Sequence, residues 1–169
     1  MLTKRDFEII EFLESYKIAT TTVLQYFFFP SLSACQKRLL KLIQCKQIKR
    51  ARDNITNEYL YYIKKPKQIN HSLKVSELYM ELSKRYEIKH FKIEVNLGSI
   101  RPDAVFGYIE NGTSKIGFLE VELSNKEFNQ NKYINFIKNG DAKESGITKF
   151  SLFVWRKNRE NIEIIKLPI

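Results

Sequence analysis

Within the first 63 residues the hydrophobic period of the chain changes once, and that change narrows the fold more than any other feature. Phe7, Ile10, Phe12 and Leu13 recur at helical spacing behind Thr3, which can cap a helix with Asp6 at the third helical position. A second helical run through Val23, Leu24, Tyr26 and Phe27 starts in Ala19-Thr20-Thr21-Thr22 and is stopped by Pro30. A third starts at Ser31 or Ser33. It places Cys35, Leu39, Leu42 and Ile43 on one face and Ser33, Gln36, Lys37 and Lys41 on the other. The period then drops to two, because residues 47–52 and 58–63 alternate around the turn-forming stretch Asp53-Asn54-Ile55-Thr56-Asn57. Three helices and a hairpin are expected over residues 1–66.

That element order is the order of a winged helix-turn-helix, and the charge falls where such a module would use it. The chain carries 29 Lys+Arg against 19 Asp+Glu, a net charge of +10. Residues 1–36 are close to neutral at −1, whereas residues 37–67 hold ten basic residues against Asp53 and Glu58, a net +8. A polyanion, most simply double-stranded DNA, fits such a patch. Lys37 and Lys41 are expected to meet phosphates or guanine edges, and Gln36 an adenine, with Ser33 on the same face. Lys49, Arg50 and Arg52 would reach the flanking backbone. A module of the same order used for protein contact is the competing reading.

Hydrophobic residues make up 43% and aromatics 13%, enough for a packed core, which excludes a disordered basic tail. No apolar run approaches the roughly 18 residues that cross a bilayer. The acidic residues inside the opening MLTKRDFEIIEFL do not suit a signal peptide. Two cysteines set no disulfide framework, and Cys35 and Cys45 lack zinc-ligand spacing. The expectation is a reduced, soluble, cytoplasmic protein with no membrane association.

Residues 64–70 are polar, contain Pro66 and have no period, which marks a junction before a second unit over residues 71–169. Leu73, Val75, Leu78, Tyr79 and Leu82 predict a helix to about Tyr86. Strands are expected at 90–97, 101–109, 115–123 and 149–155, with a helical stretch at 126–138 and a last strand at 162–166. The whole is α+β, its second unit a small α/β domain. Asn111-Gly112 is a two-residue hairpin turn, so partners carry numbers that sum to 223. Asp103 then faces Glu120 and Arg101 faces Glu122 on one side of the hairpin. Ala104, Phe106, Tyr108, Leu119, Val121 and Leu123 fall on the other, the core side. Arg101 and Glu122 would pair. Opposed Asp103 and Glu120 repel when both are ionised, so a cation, a proton or splaying must offset them.

Arg101-Pro102-Asp103-Ala104 followed by Phe118-Leu119-Glu120-Val121-Glu122 resembles the PD-(D/E)xK signature of the restriction-endonuclease-like superfamily. The resemblance implies that Asp103 and Glu120 surround Mg²⁺ and that a lysine positions the attacking water. Glu122 stands at the lysine's place, which counts against hydrolysis; Lys132 on the following helix is the lysine that could take that place, and Glu94 is an upstream acidic ligand on offer. More narrowly, Pro102-Asp103-Ala104, Glu120-Val121-Glu122 and Lys132-Tyr133 resemble the replication-relaxation family of plasmid and mobile-element proteins. That resemblance implies a winged helix joined to a nuclease-like domain, acting in replication, relaxation or conjugative mobilisation beside a relaxase or replication initiator.

The expected function is therefore a DNA-binding accessory protein, non-enzymatic on the missing lysine. Two alternatives stay open: a Mg²⁺-dependent nuclease or nickase using Asp103, Glu120 and a displaced lysine, and a winged-helix transcriptional regulator. A homodimer through Phe27-Phe28-Phe29 or the C-terminal strands is compatible with either. His71, His90 and Trp155 are given no role.

Overall fold

The computed structural model describes residues 1–124 and 126–167; the last two residues of the expected second unit, Pro168 and Ile169, lie outside them. The fold is mixed α+β and divides into two units, Met1–Glu81 and Leu82–Ile169.

In the first unit α1 (Lys4–Tyr16) begins where Asp6 reaches back to Thr3, accepting from its backbone N–H at 2.6 Å and its hydroxyl at 2.8 Å. A two-residue strand, β1 (Ala19–Thr20), comes next; it is too short to leave a period in the sequence. Thr20 then caps α2 (Thr21–Phe28), its hydroxyl oxygen accepting from the Val23 N–H at 3.2 Å. Phe29 is extended, as a residue before proline must be, and Ser31 caps α3 (Leu32–Gln44). α3 ends in a Schellman motif. The Gln47 N–H donates to the Leu42 carbonyl and that of Lys46 to Ile43, both at 2.9 Å, with Lys46 at φ 57°.

β2 (Lys49–Arg52) and β3 (Tyr59–Tyr62) form the expected hairpin, and β1 adds to it in the order β1-β3-β2, antiparallel throughout. Asp53 holds the turn, its Oδ1 accepting from the Ile55 and Thr56 N–H groups at 2.8 and 2.7 Å. Ile9, Leu13, Val23, Leu24, Cys35, Leu39 and Leu42 fill the core between the three helices. Phe27 and Phe28 pack with Phe12 rather than lying apart from it.

Helix α4 (Ile69–Arg85) starts four residues before the first apolar residue used to predict it, and the division between units falls within it. The second unit holds one five-stranded sheet, β4-β5-β6-β7-β8. Its strands are β4 (Glu87–Ile93), β5 (Ala104–Glu110), β6 (Thr113–Glu122), β7 (Ser151–Arg156) and β8 (Glu163–Ile165). All neighbours are antiparallel except β6 and β7, which are parallel and joined through α5 (Asn131–Lys138) and α6 (Asp141–Glu144).

Asn111 and Gly112 both take positive φ, 50° and 74°, as a type I′ turn demands, and the register is the expected one from Ala104↔Leu119 to Glu110↔Thr113. Ala104, Phe106, Tyr108, Leu119 and Val121 are buried on one face; Phe118 on the other packs with Tyr133, Phe136 and Phe150 beneath α5. Because both faces of β6 are covered, its burial is nearly continuous.

The helix expected at 126–138 starts only at Asn131. Ser124 and Asn129 accept from the Lys126 and Asn131 N–H groups, so short polar side chains hold this stretch in turns instead. The strand expected at 90–97 is displaced to 87–93, ended by Glu94 at φ 53°.

Candidate functional site

The residues singled out for DNA contact in the first unit are all exposed: Ser33, Gln36, Lys37 and Lys41 on α3, and Lys49, Arg50 and Arg52 on β2. The structure separates them more finely. At 100° per residue, Cys35, Leu39 and Leu42 point to the core and Ala34 and Arg38 flank it on one side. Lys41 comes next; Lys37, Gln44, Ser33 and Leu40 then lie opposite the core, with Gln36 beyond them. Leu40 is 44% exposed there, an apolar side chain amid polar ones that a two-faced reading of the helix misses. On β2 the pleat places Arg50 and Arg52 on one face, over the Tyr59 ring at 4.4 and 5.4 Å, and Lys49 on the opposite face.

Arg38 does not belong to this surface. Its Nε donates to the Asp6 Oδ1 at 2.5 Å and its second nitrogen to Oδ2, with the Asp6 side chain fully buried. Hydrogen bonding from Arg38 holds the Asp6 carboxyl well below the usual range. Of the acids in the basic stretch, Asp53 holds the hairpin turn and Glu58 accepts from the N–H and hydroxyl of Thr22 at 3.1 and 2.8 Å, at the start of α2.

In the second unit, Glu94 and Asp103 stand one residue past the paired ends of β4 and β5, and β6, the next strand after β5 in the sheet, carries Glu120. The Glu94 N–H donates to the Asp103 carbonyl at 3.0 Å, continuing the β4-β5 ladder, and the β5-β6 register sets Asp103 opposite Glu120. Asp103 Oδ2 accepts from the Val121 N–H at 2.7 Å. Glu120 is buried, and its Oε1 accepts from Lys132 Nζ at 2.8 Å and from the Tyr133 hydroxyl. The cation that offsets the two opposed carboxylates is thus Lys132, delivered from the first turn of α5. Burial pushes the Glu120 carboxyl up, more than the hydrogen bonds from Lys132 and Tyr133 pull it down. Burial and the adjacent Glu120 push the Tyr133 hydroxyl up in turn.

Two neighbours differ from expectation. Arg101 pairs with Glu94 at 3.4 Å rather than with Glu122, because β5 begins only at Ala104 and leaves Arg101 outside the ladder. Glu122 instead accepts from the Ser124 N–H and hydroxyl at 2.9 and 2.5 Å, turned along its own chain.

Mg²⁺ binds through one or two carboxylates together with phosphate oxygens and water rather than in an all-protein cage. Asp103 and Glu120 supply two hard oxygen donors in register, which fits such an ion; no group of three or more His, Cys, Asp or Glu converges to hold a metal among the described residues. Asp103 and Glu120 are the residues that would hold it.

Sequence reasoning singled out Asp103, Glu120 and Lys132, which the structure brings together, but counted Arg38 only as charge in the basic stretch and overlooked Tyr133 as a partner of Glu120. The signal for Arg38 was present, since Arg38 stands next to Leu39 on the core-facing flank of its helix. Comparison with protein-family models, with curated proteins and with solved structures returned no match.

Proposed function

We propose that this chain is a double-stranded DNA-binding protein whose first unit is a winged helix-turn-helix and whose second is a restriction-endonuclease-like domain. The observation that carries the reading is the exposure of Lys37 and Lys41 on α3 and of Lys49, Arg50 and Arg52 on β2, while the acids of the same stretch are engaged internally. In this reading α3 enters the major groove, the β2–β3 hairpin lies along the flanking backbone, and the protein serves a plasmid or other mobile element in replication, relaxation or mobilisation beside a relaxase or replication initiator. The test is titration of the full chain with duplex DNA at two salt concentrations. Lys37→Ala with Lys41→Ala should lower affinity and reduce the slope of log K against log salt by about 1.8. An unchanged slope in that double variant removes α3 from the interface.

A second reading is favoured by one contact. Lys132 Nζ lies 2.8 Å from Glu120, so a lysine does accompany the two carboxylates although position 122 holds Glu. The PD-(D/E)xK set would then be Asp103, Glu120 and Lys132. Mg²⁺, when bound, would polarise a phosphate and lower the pKa of a water. Lys132 would position that water from α5. Incubating the same duplexes with Mg²⁺ and running them on a denaturing gel decides: strand cleavage abolished by Asp103→Asn supports hydrolysis, and intact strands reject it.

A further inference from the structure

A groove of about 660 Å³ lies between the start of α1 and α3. Lys4, Arg5, Lys37, Arg38 and Lys41 line it, and no acidic residue does. Arg38 is consumed by the buried Asp6, which leaves four cations facing an open concavity. The Arg5 guanidinium lies 5.3 Å over the ring of Phe29, itself a lining residue, so its head is held at the groove rather than swept through solvent. Lys4 has a Glu8 partner at 3.7 Å one helical turn away, but both side chains are well exposed and such a pair competes weakly with a polyanion. Lys37 and Lys41 stand one turn apart on α3, a rise of about 6 Å, close to the axial span of about two phosphates of one strand.

We infer that this groove seats a run of DNA backbone phosphates, gripped by Lys4 and Arg5 from α1 and by Lys37 and Lys41 from α3. The inference rests on the DNA-binding reading and deepens it. The sequence gives residues 1–36 a net charge of −1, and only the fold carries Lys4 and Arg5 to the basic side of α3. Lys37 and Lys41 become positioning contacts that read no sequence, and base edges are left to the exposed Ser33, Gln36, Leu40 and Gln44, which do not line the groove. Leu40 is then placed for a thymine methyl group, the apolar feature of the major groove. An acidic peptide suits the groove less well, because its backbone N–H donors would find no carboxylate on the walls.

The experiment measures binding of the full chain to a mixed-sequence duplex between 50 and 200 mM salt. Lys4→Ala with Arg5→Ala should reduce the slope by about 1.8, so that the variant loses about 12-fold less affinity than the wild type over the fourfold rise in salt. Lys143→Ala with Lys149→Ala, an equal charge change at exposed positions of the second unit, should leave the slope unaltered. Arg5→Lys, which keeps the charge, should keep the slope. If Lys4→Ala with Arg5→Ala matches the wild type while the wild type binds with a steep slope, the groove is overturned and the DNA-binding reading stands. If the wild type shows no salt-dependent duplex binding, or prefers polyglutamate to DNA, the reading itself fails and the groove with it.

Discussion

Asp6 has two roles: it accepts from the N–H and hydroxyl of Thr3 at the start of α1, and it takes the Arg38 guanidinium from α3. Only the first is readable from spacing, because a capping box is local and an ion pair across 32 residues is not. Its carboxyl is held below the ordinary value, so the stability it contributes is fully present above about pH 4 and is lost as pH falls toward the folded value. Asp6→Asn should cost about 2 kcal/mol at pH 7, the scale of charged hydrogen bonds lost from a buried acceptor. Urea unfolding of both proteins across pH 7 to pH 3 should show the gap narrowing on the acid side. Glu120 has the opposite sign. Its raised pKa makes the folded state relatively more stable below the ordinary glutamate value, an advantage lost as pH rises through the folded value.

Elements were legible wherever periodicity or a turn residue fixed them. The α3 stripe, the hairpin around Asp53 and the Asn111-Gly112 register all come from local chemistry and stand where the sequence puts them. β1 was not legible, since two residues carry no period; nor was the late start of α5, where Ser124 and Asn129 compete for backbone donors. Lys132 reaches Glu120 from the first turn of α5, a contact the strand motif alone, with Glu122 at the lysine's position, does not announce. The C-terminal turn of α3 offers an element-scale test. Lys46 occupies the left-handed region that glycine takes without strain. Lys46→Gly should therefore raise stability by about 1 kcal/mol, seen as a higher urea midpoint at unchanged m-value. A lower midpoint would mean that the lost side chain matters more than the relieved backbone.

Across the whole molecule, net charge and fold serve different ends in the two units. The first places cations on its surface and engages Asp6, Asp53 and Glu58 internally, through Arg38, the hairpin turn and the start of α2. The second buries a carboxylate and brings it a lysine and a tyrosine. Charge counting along the chain located the first pattern but could not assign Lys4 and Arg5 to it, because membership depends on which helices become neighbours. It could not find the second, which came from motifs instead, and the contact of Lys132 and Tyr133 with Glu120 depends on how β6 and α5 pack. No helix among the described residues is long and apolar enough to cross a membrane.

β3 is the middle strand of its sheet, although it is the last of the three in the chain. Neither β1 nor β2 has a strand partner until Tyr59–Tyr62 arrives, some 40 residues after β1 has been made. During synthesis α1, α2 and α3 can collapse on one another while the sheet waits. The basic face would then emerge from the ribosome, next to a dense field of RNA phosphates, before the strand that fixes its shape.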